Sequence, residues 1–175
     1  MKELKVYLLN SKKELVTTSI ELSKFNIFIG DDLINVNRIM LKSRKTGLLT
    51  THTLLGAEDE VAYHKELAYK ITKTYYSDDL KDIQAIISTN SQFVLYAFNN
   101  LIFNYIVKDK MPADLRNEMT CKDIMIDPND IRIYHVENGV VTRIQNKDGL
   151  IEHNCFDSEM NIIMNDFYKM IDYYE

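Results

Sequence analysis

Ile83-Gln84-Ala85-Ile86-Ile87-Ser88-Thr89-Asn90-Ser91-Gln92-Phe93-Val94-Leu95 passes from a short apolar run, through four small polar residues, into a long greasy segment. A β-branched run of this length, closed by polar turn formers, reads as a fully buried strand over Ile83–Ser88. The segment from about Gln92 to Lys108 is too long for a strand and carries Asn99, Asn100 and Asn104 among its apolar residues, so it reads as a buried or partner-facing helix and not as a membrane span. A buried strand that hands the chain directly to a helix is the repeating unit of an α/β domain.

Toward the N-terminus, Leu4–Leu9 and Leu15–Leu22 read as strands flanking a polar turn at Asn10–Lys13. A third strand, Phe25–Ile29, ends at Gly30. Leu33–Leu41 has the apolar spacing of a short helix, Lys42–Gly47 reads as a loop, and Leu48–Leu55 as a fourth strand. Ala57–Tyr75 reads as a helix. Glu58, Asp59 and Glu60 fall in its first turn, where the helix dipole favours negative charge, and Val61, Leu67, Ala68 and Ile71 form its apolar face. Beyond Pro112 the pattern is irregular as far as the turn at Asp127-Pro128-Asn129-Asp130. Ile131–Val136 and Val140–Ile144 then form a hairpin across Glu137-Asn138-Gly139, and a last helix spans Ser158 to Tyr173. The expected architecture is one α/β domain over 1–175, a three-layer sandwich with antiparallel N-terminal strands and a C-terminal β-hairpin plus helix.

Composition narrows the function classes. The chain has 175 residues, 46% apolar and 27% charged, enough to bury a real core. Its net charge of −5 supplies no global field for nucleic acid or anionic membranes, and neither is an expected partner. Cys121 and Cys155 are too few for a disulfide framework, and Met1–Lys5 has no apolar leader core, so a reduced cytoplasmic setting is expected.

Thr89-Asn90-Ser91 followed by Asn99-Asn100-Leu101 resembles the switch segment of the ABC-type ATPases related to the SMC, RecF and OLD proteins, where a strand ends in Thr-His-Ser before a helix. Further blocks resemble the same family in the same order. Ile20–Gly30 is similar to the strand that delivers the phosphate-binding loop, Ala57–Ile71 to the helix after the acidic strand, and Asp127-Pro128-Asn129-Asp130 with its hairpin to the C-terminal end of bacterial members. The resemblance implies a P-loop-NTPase-like fold.

The family's chemistry is missing at each place it should appear. A phosphate loop G-x-x-x-x-G-K-[ST] uses glycine so that backbone N–H groups face phosphate, lysine to neutralise charge, and a hydroxyl for magnesium. Counting from Gly30, the second glycine is Asn35, the lysine is Val36 and the hydroxyl is Asn37. Asp31 and Asp32 would repel a triphosphate, and Arg38 and Lys42 lie away from the cradle. The acidic strand should end in paired carboxylates, one for magnesium and one to activate water. No Asp or Glu occurs between Gly47 and Ala57. His52 can serve as a base but has no metal-holding neighbour. The switch histidine is Asn90. The large helical or coiled-coil lobe that the family carries has no room between about 42 and 47.

Elsewhere, structural readings compete with chemical ones. His52, His64, His135 and His153 have no ligand spacing, and His153-x-Cys155 is half a zinc site at best. Cys121 and Cys155 read as inert thiols. Asp127–Asp130 reads as a turn before a cation site, Asp78, Asp79 and Asp82 as solvated charge, and Asn90 as a helix cap or turn residue. Phe93, Tyr96, Phe98, Phe103 and Tyr105, with Phe167, Tyr168, Tyr173 and Tyr174, exceed what one face can bury and suit a protein interface, as do the eight methionines.

The resemblance and these losses together imply a non-catalytic pseudo-ATPase with no cofactor and no metal. Gly30, Asn35, Val36 and Asn37 would be its vestigial phosphate loop, and Thr89, Asn90 and Ser91 its vestigial switch. The expected partner is a protein, either an intact ATPase subunit or a second copy, which the chain would regulate or decoy. The family's place in bacterial anti-phage defence implies a phage or mobile-element setting. The alternative is a sensor or enzyme that takes a nucleotide or small ligand near Gly30, His52 and Asn90.

Overall fold

The computed structural model describes residues 2–30, 32–45, 49–54, 61–80 and 82–151, with the backbone alone described at 2, 49–54 and 61–64. Strands β1 (Lys2–Leu9) and β2 (Leu15–Leu22) pair antiparallel, Leu9 opposite Leu15 and Lys2 opposite Leu22. The Asn10 carboxamide closes their turn by accepting from the N–H groups of Lys12 and Glu14 at 3.0 and 2.9 Å. Leu4, Val6 and Leu8 are buried while Glu3, Lys5 and Tyr7 face out, the alternation of a half-buried ribbon. This ribbon is a separate two-stranded sheet, and the third N-terminal strand leaves it for the main sheet.

That third strand, β3 (Phe25–Ile29), is buried at all five positions. Around it runs a five-stranded sheet in the order β4-β5-β3-β6-β7, with β4 as Leu49–Leu54, β5 as Gln84–Thr89, β6 as Ile131–Glu137 and β7 as Val140–Arg143. The pairs β4/β5, β5/β3 and β3/β6 are parallel; β7 returns antiparallel beside β6. At the β6–β7 turn, Asn138 and Gly139 take φ values of 50° and 78°, the conformation that an Asn-Gly hairpin requires.

Side-chain alternation divides the core between the sheet's two faces. Phe25, Ile27, Ala85, Ile87, Ile131 and Ile133 pack with helices α2 (Val61–Tyr75) and α3 (Gln92–Val107). On the opposite face Phe28, Ile86, Tyr134 and Val136 meet helix α1 (Leu33–Arg44) together with the β1–β2 ribbon. The Tyr134 ring stacks on Phe28 at 5.4 Å and its hydroxyl donates to the Glu21 carbonyl, tying the ribbon to the sheet.

Three sequence expectations need correction. Residues 42–44, read as loop, complete α1: Val36, Ile39, Met40 and Ser43 are buried along one face, and the Ser43 hydroxyl donates to the Ile39 carbonyl at 2.8 Å. The irregular stretch beyond Pro112 contains a short helix, α4 (Ala113–Glu118). Arg116 of α4 donates to the carbonyls of Lys108 and Lys122, so the chain around it is held by a guanidinium and not by periodicity. The strand read as Ile83–Ser88 begins and ends one residue later. The expected last helix at Ser158–Tyr173, with Phe167, Tyr168, Tyr173 and Tyr174, lies outside the described residues, as do Asp31, His153 and Cys155.

Candidate functional site

β3, β5 and β4 are parallel neighbours, so the chain leaves all three at the same edge of the sheet. Gly30 follows β3, Asn90 follows β5, and Leu54 ends β4 opposite Thr89. The carboxyl edge of an open parallel sheet is where such folds place ligands. Here that edge holds a cavity of about 230 Å³ lined by Phe28, Gly30, Leu33, Val36, Asn37, Ser88, Thr89 and Asn90. The residues singled out at Gly30 and at Thr89-Asn90, far apart in sequence, therefore meet. Among the described residues, none that lines it bears a charge.

Gly30 has φ +128°, and a Cβ there would run into the Val136 carbonyl oxygen. The glycine is thus required by close approach of β6 as well as by its backbone. The described residues after it start helix α1. Asp32 is the N-cap of α1 and accepts from the Asn35 N–H at 3.2 Å; its other oxygen accepts from the Asn35 carboxamide at 2.6 Å and the Gly139 N–H at 3.3 Å. Asn35 is 1% exposed, and its carboxamide bonds both backbone groups of Leu9, accepting from the N–H and donating to the carbonyl, each at 2.7 Å. Asn35 thus ties the helix start to β1. Val36 is 6% exposed and belongs to the core. Asn37 is exposed at the cavity.

Between β5 and α3, the Thr89 hydroxyl accepts from the Ser91 N–H at 3.0 Å and the Ser91 hydroxyl caps α3 by accepting from Val94 at 3.5 Å. The helix-cap reading of Asn90 is therefore wrong: Ser91 holds that place, and Asn90 is exposed on the cavity wall. His52 stands in β4 opposite Ile87. His64 lies in α2, and His135 sits in β6 beside Gly30.

Sequence reasoning missed the Asp32–Asn35 lock. Its one local signal was an acceptor side chain three residues before a donor at a helix start, the spacing of a reciprocal cap. It also missed Asn104, whose carboxamide nitrogen donates to the Cys121 and Ile124 carbonyls at 2.7 and 2.9 Å, and Asn99, which accepts from the Ile151 N–H at 2.9 Å. The Asp127–Asp130 turn is structural. Asp127 accepts from Asn129 N–H at 2.8 Å and from the Tyr105 hydroxyl at 2.8 Å, while the Tyr76 hydroxyl donates to Asp130 at 2.9 Å. The Asn129 N–H is the main cause that holds the Asp127 carboxyl below its ordinary pKa; partial burial opposes it and Tyr105 assists. Burial, then the Asp130 carboxylate, pushes the Tyr76 phenol well above its ordinary value. Asp78, Asp79 and Asp82 are exposed, and among the described residues no three His, Cys, Asp or Glu side chains converge as metal ligands.

Compared with models of protein families, with curated proteins and with solved structures, the chain matches none. Among the described residues no helix is long and apolar enough to cross a membrane.

Proposed function

We propose that this chain is a pseudo-ATPase of the SMC, RecF and OLD type, with a P-loop-like sandwich fold, that acts by binding another protein. The observation that carries this reading is that the described residues lining the cavity between Gly30 and Asn90 are all uncharged. A triphosphate with magnesium carries several negative charges that binding must neutralise with cations or oriented N–H groups. At the corresponding positions this chain has a buried valine and an asparagine already bonded at both ends of its carboxamide. The likeness in fold is supported by the three strands that leave their loops at one edge.

A protein partner is supported by α3. Phe93, Tyr96 and Phe103 are 39%, 42% and 51% exposed, at spacings that place them on one side of the helix. Exposed aromatic stripes of this kind are the usual anchors of interfaces. The partner is an intact ATPase subunit or a second copy, which the chain engages without completing a nucleotide site; a phage or mobile-element origin suits that role.

The cavity also favours a second reading. Asn37, Ser88, Thr89 and Asn90 offer uncharged donors and acceptors, which suits a small neutral ligand. A phosphate-release assay with magnesium and ATP separates catalysis from binding. The pseudo-ATPase reading expects no turnover above buffer. Turnover abolished by His52→Ala or Asn90→Ala would replace it with an enzyme.

A further inference from the structure

We propose that the cleft between β1 and α1 is a docking site for an extended acidic peptide segment. The cleft has a volume of about 230 Å³ and is lined by Val6, Tyr7, Arg38, Leu41, Lys42 and Lys45. Three of these are cations and none is a carboxylate. Arg38, Lys42 and Lys45 follow one another along one side of α1 and its C-cap, a like-charge arrangement that weakens a helix. Among the described residues the ion pair is Arg132 with Glu21 at 3.1 Å, so no carboxylate of the described chain answers these three. The nearest outward charges on β1 are Lys5, of the same sign, and Glu3 toward the far end.

The strand wall supplies the second half of the site. Leu9 N–H and carbonyl are both bonded by Asn35 on α1, whereas Asn10 N–H donates to Glu14 across the ribbon. In an antiparallel pair these directions alternate along the strand. The N–H and carbonyl groups of Tyr7 and Lys5 therefore point, like those of Leu9, away from β2 and toward the α1 side. At Leu9 a carboxamide takes the place of a neighbouring strand. At Tyr7 and Lys5 no described group does. The apolar floor is equally open, with Tyr7 60% and Leu41 57% exposed.

Open amides and carbonyls at strand spacing select a peptide backbone, and the cationic wall selects acidic side chains on it. A nucleic acid meets the same cations but has no use for the strand edge, and the chain's net charge of −5 opposes a long polyanion. This inference does not depend on the ATPase likeness, since a chain that bound ATP would present the same cleft.

The test uses the full chain with a labelled peptide of about ten residues that alternates Glu with Thr, its Gln-for-Glu counterpart, and a single-stranded DNA of similar length. The acidic peptide is expected to bind, and the Gln peptide to bind at least about tenfold more weakly. The variant Arg38→Gln/Lys42→Gln/Lys45→Gln, altered only on the outer side of α1, is expected to lose binding by a similar factor with an unchanged circular dichroism spectrum. On addition of the acidic peptide the Lys5 and Tyr7 amide resonances should move while those of Gly30 and Thr89 stay. Equal binding of both peptides, wild-type affinity in the triple variant, unmoved Lys5 and Tyr7 amides, or tighter binding of the DNA would each overturn the proposal.

Discussion

Gly30 and Asn35 show how single residues define the site. Gly30 combines a φ of +128° with the Val136 carbonyl packed where a Cβ would stand. Gly30→Ala should therefore destabilise the fold by roughly 2–4 kcal/mol, since both the backbone strain and the clash must be relieved. Urea unfolding measures this, and a loss under about 0.5 kcal/mol, the range of a neutral surface change, would contradict it. Asn35→Leu leaves the Leu9 N–H and carbonyl without partners, which should cost roughly 2–4 kcal/mol. Counting from Gly30 was enough to show that Asn35, Val36 and Asn37 stand where a phosphate loop would need glycine, lysine and a hydroxyl. It was not enough to show what Asn35 does, because Asn35 acts on a residue twenty-six positions earlier in the chain. Bonds between distant segments leave no local pattern to read.

Helix ends and turns are the next level. Ser91, not Asn90, starts α3, and its position just before an apolar run was the available sign. Ser91→Ala should cost about 1 kcal/mol in thermal unfolding, the ordinary value of an N-cap. An unchanged midpoint would contradict the assignment. At the Asp127 turn, the folded pKa lies below the unfolded one. The stabilisation is therefore fully present above the ordinary carboxylate value near ~3.9 and is lost as pH falls through the lower folded value. Acid unfolding of Asp127→Asn should be less steep below about pH 4 than that of the wild type; identical curves would contradict the turn's electrostatic role. The strands were legible because period-two alternation and five consecutive buried positions are strong signals. The end of α1 was not, because nothing in Lys42-Ser43-Arg44 announces that Ser43 turns its hydroxyl back to Ile39 and continues the buried face.

At the scale of the molecule, a mixed sheet carries α2 and α3 on one face and α1 with the β1–β2 ribbon on the other. The order β4-β5-β3 could not be read from sequence, since strand order depends on crossovers and not on the strands themselves. It is this order that brings Gly30 and Asn90 to one cavity, whose described lining residues are uncharged. The alternating strands and helices did reveal an α/β fold, but the separate N-terminal ribbon and its tie through Asn35 are consequences of packing. Isothermal calorimetry of the full chain with ATP, with and without magnesium, tests the central claim most directly. No saturable heat up to about 1 mM nucleotide is the expected result, whereas a Kd in the micromolar range, near −8 kcal/mol of binding free energy, would contradict it.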